Sequence, residues 1–128
     1  MTFELRLEGA GGRLQDPPLL TAGDLSDVKA VTRSAWYVLS GSHKSTAIIL
    51  TVKPQSLDRW LNAIRAAARR GARVAIVVDG RSVGTMVLMQ TPTGAEFEID
   101  AAFFSSGTES DRANAARKLA SAIKKSVS

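Results

Sequence analysis

Alternating apolar and polar residues open the chain. Phe3, Leu5 and Leu7 are separated by polar or charged side chains, and this period of two is typical of a strand with one buried face. The segment 45–53, STAIILTVK, is almost continuously apolar and rich in β-branched residues. Such a run predicts a central strand that is covered on both faces.

Three stretches have instead the three- and four-residue spacing of amphipathic helices. The first spans 22–40, where Thr21 and Asp24 predict a capping box and Gly41 ends the helix. The second ends at Gly71, and the third starts at Thr108. The apolar positions of the three are Leu25, Val28, Thr32, Ala35, Trp36 and Leu39; Leu57, Trp60, Leu61, Ile64, Ala67 and Ala68; and Ala116, Leu119, Ala120, Ile123 and Val127.

Two turn signals divide the segment between the second and third helices into three strands. Asp79-Gly80 predicts a type I′ turn, which joins the strand 73–78 to the strand 82–90 as a hairpin. The sequence Thr-Pro-Thr-Gly at 91–94 predicts the next turn, and a further strand follows over 95–104.

These elements predict a single α+β domain over 1–128. It has one mixed sheet of about five strands, three amphipathic helices and a C-terminal antiparallel meander. The strand–helix–strand connection predicts that 45–53 and 73–78 are parallel. Residues 9–20 contain three glycines and two prolines. This composition predicts a flexible surface loop.

Pairing the predicted strands by their turns places apolar residues on both faces of the sheet. The helices cover one face, which contains Ala75, Val77, Met86, Leu88, Phe97 and Ile99. The second face contains Val74, Ile76, Val83, Val87 and Met89. A large exposed apolar patch is unusual on a monomer, so this face predicts either helices on both sides or self-association into a dimer or higher oligomer.

The composition is that of a folded domain: 128 residues, of which 45% are hydrophobic. The absence of cysteine excludes disulfides, thiolate zinc sites and cysteine nucleophiles, and it fits a reducing compartment. The N-terminus does not resemble a signal peptide, and no stretch approaches the ~18 apolar residues of a membrane span. We therefore expect a cytoplasmic protein with no membrane partner.

Candidate catalytic groups are few. His43 is the single histidine; it lacks an orienting acid and a nucleophile, and without cysteine it does not build the usual zinc cluster. Neither 41–46 nor 9–12 has the glycine pattern and strand-to-helix order of a phosphate-binding loop. Glu96, Glu98 and Asp100 alternate along one strand, which is typical of a solvated face. The sequence predicts no catalytic residue, no metal and no cofactor.

Positive charge is the remaining signal, with a formal net charge of +5 and a pI near 10.1. If the second and third helices lie side by side, their outer faces form one broad basic surface for an acidic partner, either a nucleic-acid backbone or an acidic protein. No aromatic residue interleaves with these positions, so base stacking is not expected. The residues predicted to bind this partner are Arg65, Arg69, Arg70, Arg73, Arg117, Lys118, Lys124 and Lys125.

The sequence therefore favours a non-catalytic binding or adaptor domain that recognises an acidic partner through its basic helix faces. The alternative is a homo-oligomeric structural or assembly subunit that associates through the second apolar sheet face. A small hydrolase or other enzyme is the third hypothesis.

Overall fold

The predicted α+β class is confirmed. A computed structural model describes residues 1–37, 41–88, 91–105 and 107–127, and for 33–37 and 41–44 it describes the backbone alone. The described residues form seven strands and two α-helices. In chain order these are β1 (Phe3–Glu8), β2 (Leu20–Thr21), β3 (Leu25–Tyr37), β4 (Gly41–Val52), α1 (Pro54–Arg69), β5 (Arg73–Val78), β6 (Arg81–Val87), β7 (Glu96–Asp100) and α2 (Glu109–Val127).

The strands form two sheets, where the sequence had predicted one. Their orders are β2-β1-β5-β6 and β3-β4-β7, and all strand pairs of the described residues are antiparallel. The predicted parallel pairing of 45–53 with 73–78 is wrong, because β4 and β5 belong to different sheets. Since α1 connects one sheet to the other, the crossover rule for strands of a single sheet does not apply.

The predicted helix over 22–40 is wrong, because most of this segment forms β3. Leu25 pairs with Val52 and Val28 pairs with Leu50, and a register shift lies between these two pairs. The extra residue of this bulge puts two apolar residues three positions apart on the same face of a strand, which imitates helical spacing. The predicted capping box exists, since Asp24 Oδ2 accepts from the backbone N–H of Thr21 (2.9 Å), but it closes a single 3₁₀ turn.

The predicted type I′ hairpin of β5 and β6 is confirmed: Asp79 (φ 51°) and Gly80 (φ 80°) both have left-handed backbone conformations. Its faces differ from the prediction because the register shifts between Ile76 and Val77, so that Val74 pairs with Met86. One extra residue exchanges the two faces of a strand beyond the bulge.

The predicted C-terminal meander is wrong, because β7 pairs with β4 and not with β6. Phe97 lies opposite Leu50, and Ile99 lies opposite Ile48. All four side chains are buried. The segment between β6 and β7 therefore crosses from one sheet to the other, where a tight hairpin turn was predicted.

Both helices lie on the same face of the three-stranded sheet. Trp60 of α1 packs edge-on against Phe97, with ring centroids 5.1 Å apart. Arg117 Nη2 of α2 lies 3.5 Å from Thr46 Oγ1. Thr46 and Leu50 share one face of β4, and Phe97 is the partner of Leu50, so the two helices contact the same side.

The other two predicted helices form α1 and α2, and their capping residues confirm the predicted end of α1 and the predicted start of α2. Pro54 occupies the first turn of α1, and Gly71, with a φ of 62°, follows its end. At the start of α2, Thr108 and Asp111 exchange two hydrogen bonds of 3.1 Å from backbone N–H to side-chain oxygen. This is the predicted capping box.

Residues 9–20 follow β1 back along its length. Gln15 N–H donates to the carbonyl of Leu7 (2.9 Å), and Leu19 N–H donates to that of Leu5 (2.7 Å). β2 then pairs with β1. The segment thus lies along the edge of the four-stranded sheet that β1 would otherwise leave unpaired.

Candidate functional site

A cleft lies where the two sheets meet, between β6 and β7. Its volume is about 430 Å³. β6 is the last strand of the four-stranded sheet and β7 is the last strand of the three-stranded sheet. Each is an edge strand, with one side unpaired in its own sheet. The cleft is lined by Met86, Val87, Leu88, Thr91, Pro92, Thr93, Gly94, Glu96, Phe97, Glu98 and Phe103.

The connecting segment after β6 forms one wall of the cleft and is held at two points. Arg65 of α1 donates from Nε to the carbonyl O of Pro92 (3.1 Å). The backbone N–H of Val52, at the end of β4, donates to the carbonyl of Ala95 (2.8 Å). One anchor comes from a helix and the other from a strand, so this wall is fixed to the body of the domain.

The opposite end of the cleft is closed by the residues that follow β7. Gly84 of β6 forms a bridge with Phe104, and Ser105 N–H donates to the carbonyl of Val83 (2.8 Å). A Cβ atom on Gly84 would collide with the carbonyl oxygen of Phe103. Glycine is therefore required at this position for the two segments to approach so closely.

Apolar side chains remain exposed at the cleft. Val87 is 43% exposed and Phe103 is 38% exposed; with Met1, these are the exposed large apolar side chains among the described residues. A second cavity, of about 310 Å³, lies beside the first and shares Met86, Val87 and Phe103 with it. Its other lining residues include Arg73. The apolar surface is thus continuous between the two cavities.

Carboxylates stand on the β7 side of the cleft. Glu96 and Glu98 line it, and both are exposed. Asp100 continues their row along the strand, and its Oδ1 accepts a hydrogen bond from the backbone N–H of Ala102 (2.9 Å). The cleft therefore combines an apolar floor, to which buried Phe97 and Met86 contribute, with an acidic rim.

The residues predicted as an oligomer interface do not share one exposed face. Val74 and Ile76 are fully buried in the core, because the bulge places them with Met86 on the inner face. Val83 is half-buried, and Val87 is exposed at the cleft. Met89 lies outside the described residues.

The strand and turn patterns of the sequence do not reveal the cleft or the contribution of Leu88, Pro92 and Phe103 to it. They predict a tight turn at 91–94 between paired strands, which leaves no gap between those strands. The signal that was present is Pro92, which has no N–H to donate to a strand ladder and fits an unpaired crossing segment better than a sheet.

The basic residues on and just after α1 are dispersed over separate contacts. Arg65 is held by Pro92, as described above, and Arg73 Nε lies 3.7 Å from Glu8 Oε1. Arg69 and Arg70 are exposed at the end of α1. These four residues therefore do not form one continuous row.

Two ion pairs show how the helices are oriented. Arg59 of α1 pairs with Asp24 (2.8 Å), and Lys124, in the last turn of α2, lies 3.8 Å from Asp27. The end of α2 is thus near the first half of α1. With a rise of 1.5 Å per residue, Arg69 lies about 15 Å beyond Arg59 along α1. Arg69 and Arg70 therefore lie at the end of α1 that is farther from Asp24.

The basic residues of α2 are the ones that the fold brings together. Arg117, Lys118 and Lys125 line a shallow cavity of about 550 Å³ on the outside of the helix. Arg117 and Lys124 line a neighbouring one of about 270 Å³, with Lys29 of β3. We call Arg117, Lys118, Lys124, Lys125 and Lys29 together the α2 basic face.

The predicted absence of catalytic groups is not decided by the geometry. Within 1–37, 41–88, 91–105 and 107–127, no group of three or more histidine, aspartate or glutamate side chains is placed to hold a metal ion. The side chain of His43 lies outside the described residues.

No protein-family model matches the sequence, and no curated protein matches it. Two solved structures match its fold, each with a TM-score of 0.64 over 96% of this chain. One is a crystal structure of SecDF in a super-membrane-facing form, with 23% identity and 18% of that chain covered. The other is a structure of SecDF, a membrane component that enhances protein export, with 24% identity and 61% covered.

This chain therefore spans only part of the SecDF chains that it matches, and at such identity the likeness shows the fold alone. Neither helix in the described part of the chain combines the length and the apolar composition that crossing a membrane takes. The cytoplasmic location stays a prediction.

Proposed function

We propose that this chain is a non-catalytic binding domain whose cleft between β6 and β7 receives a short extended segment of another polypeptide. The observation that carries the proposal is the origin of the lining residues, which come from the edge strands of both sheets. Edge strands present unpaired backbone N–H and C=O groups, and an extended peptide binds such an edge as an added strand.

The size and polarity of the cleft indicate what kind of segment fits. A volume of about 430 Å³ is in the range of pockets that bind small ligands, so only a few residues enter it. Val87 and Phe103 offer exposed apolar surface to an apolar side chain. Glu96 on the rim favours a basic residue next to that side chain. We therefore expect a preference for apolar segments flanked by lysine or arginine.

The likeness to part of SecDF concerns the fold. SecDF is described as a membrane component that enhances protein export, and export acts on polypeptides. We extend to this chain the binding of polypeptide segments, and neither the export process nor a particular partner.

The test is binding of short fluorescent peptides, measured by anisotropy. One peptide has an apolar centre flanked by lysines, and its counterpart has the same centre flanked by glutamates. We expect the lysine peptide to bind more tightly. Val87→Glu should weaken its binding by about tenfold, because it loses apolar contact and buries a charge. Gln55→Glu, which adds the same charge at an exposed position of α1, should leave it unchanged.

Two outcomes would overturn this function. Equal binding by the wild type and Val87→Glu would remove the cleft from the interaction. A concentration-dependent dimer in light scattering that Val87→Glu dissociates would instead assign the exposed apolar residues to self-association, which is the alternative hypothesis from the sequence.

A further inference from the structure

The net charge of the chain is concentrated at its C-terminal end, in the part of α2 that follows Asp111. Residues 112–128 contain five basic and no acidic residues, which equals the formal net charge of +5 for the whole chain. The twelve acidic residues all precede position 112, where they are balanced by twelve basic ones. Residues 1–111 are therefore neutral overall, and the long-range positive field originates at the part of α2 that follows Asp111.

Helical geometry places this charge on the outside. Lys118 and Lys125 are seven residues apart, as are Arg117 and Lys124, so each pair is aligned two turns apart. The buried residues of α2, among them Leu119 and Ile123, occupy the opposite side and pack into the core. The four cations thus share one surface-facing side over about 12 Å of helix.

The α2 basic face is broader than the helix alone. On one flank, Lys29 of β3 lines a cavity with Arg117 and Lys124. On the other flank, Met1, with half of its side chain exposed, lines a cavity with Lys118 and Lys125. β3 and the N-terminus therefore lie on the two flanks of α2, and the surface is wide and shallow.

We propose, in place of the sequence-based expectation of no membrane partner, that the α2 basic face docks the domain onto an anionic lipid surface. A wide, shallow cationic surface meets a plane of negative headgroups with all its charges at once, and each basic residue near such a membrane raises the partition coefficient about fivefold. The contact is electrostatic and reversible, since an interfacial helix needs an apolar face to insert, and that face of α2 is buried in the core.

Nucleic acid fits this surface less well. A helix that reads the major groove enters it with both flanks free, whereas β3 and Met1 flank α2. The start of α2, where backbone N–H groups would meet phosphates, carries Glu109 and Asp111. Among the side chains that the structure describes, no aromatic one lines the two cavities, so these residues offer no platform for unpaired bases.

The test is co-sedimentation with vesicles of phosphatidylcholine alone and of phosphatidylcholine mixed with phosphatidylglycerol. We expect binding to the mixed vesicles only, and its loss at high salt. The double variant Lys118→Glu, Lys125→Glu should reduce the partition coefficient by at least about thirtyfold. The matched control is Arg69→Glu, Arg70→Glu, which makes the same change in net charge at the end of α1 and should change it by less than about threefold.

Equal losses in the two double variants would overturn the proposal, because net charge and not the α2 basic face would then determine binding. Binding to neutral vesicles would overturn it too. Tighter binding of duplex DNA than of mixed vesicles, lost in the α2 variant, would assign the surface to nucleic acid instead. Circular dichroism and thermal unfolding check that both variants fold. Peptide binding at the cleft is measured separately, so the failure of one proposal leaves the other standing.

Discussion

Two surfaces of the molecule, the cleft between β6 and β7 and the α2 basic face, differ in shape and in the type of interaction that they offer to a partner. The cleft is concave, with exposed Val87 and Phe103 inside and carboxylates on its rim. The α2 basic face is wide and shallow, and its character is cationic. Exposed charges are screened over about 10 Å at 0.1 M salt, whereas burial of apolar surface is not weakened by salt. Salt should therefore separate the two surfaces.

The two helices account for this difference. α1 supports the cleft: Trp60 packs under Phe97, and Arg65 holds the carbonyl of Pro92. α2 instead uses its apolar side to cover β3 and β4 and leaves its basic side outside. α1 therefore shapes the concave surface, and α2 carries the charge. Substitutions can for this reason change one surface without changing the other.

The largest effect is expected at the closed end of the cleft. Gly84→Ala places a methyl group against the backbone carbonyl of Phe103, which is not a flexible side chain that moves aside. We expect a loss of about 1–3 kcal/mol in the free energy of unfolding, measured by urea titration, and weaker peptide binding. Gly94→Ala is the matched control at the other end, because nothing lies within 4 Å of its added Cβ. Equal stability of the two variants would contradict the close contact at Gly84.

A smaller, pH-dependent effect is expected at Asp24, which lies near both helices but in neither surface. Burial of its carboxylate raises the pKa, while the N–H of Thr21, the hydroxyl of Ser56 and the guanidinium of Arg59 lower it more, so the pKa is below its ordinary value of 3.8. A lowered pKa in the folded state contributes stability above the unfolded pKa, and this is lost as the pH falls through the folded value.

Asp24→Asn should therefore destabilise the protein by about 1–2 kcal/mol at neutral pH, through loss of charge-assisted hydrogen bonds. The difference from the wild type should shrink as the pH falls below about 4, where the unfolded chain takes up the proton first, and it should be smallest below the lowered pKa of folded Asp24. Urea unfolding at several pH values measures both. A difference that does not vary with pH would show that the ionised form of Asp24 is not the stabilising one. Binding at the cleft and at the α2 basic face should be unaffected.

The parts of the fold that the sequence predicts are those determined locally. Asp79-Gly80 requires two left-handed residues, and the hairpin forms as predicted. The helices α1 and α2 follow from apolar spacing over four turns or more, with caps that the structure contains. In each case the deciding interactions lie within a few residues of one another.

The parts that the sequence does not predict depend on bulges and on distant partners. An extra residue near Leu25 gives the start of β3 the apolar spacing of a helix. A second extra residue, where the register of β5 and β6 shifts between Ile76 and Val77, exchanges the two faces of the hairpin. The choice of β4 as the partner of β7 places Phe97 opposite Leu50, 47 positions earlier in the chain. The cleft results from that choice, so turn signals alone do not reveal it.

The smallest effect on stability, and the sharpest separation of the two surfaces, is expected for Lys124→Gln. Lys124 and Asp27 are more than half exposed and 3.8 Å apart, and such surface pairs contribute less than about 0.5 kcal/mol. Urea unfolding should therefore hardly change, whereas partition onto anionic vesicles should fall about fivefold through loss of one cation. Peptide binding at the cleft should stay within experimental error. A clear loss of stability without a loss of vesicle binding would show that Lys124 serves the packing of α2 on β3, and the α2 basic face would then have to be redefined without it.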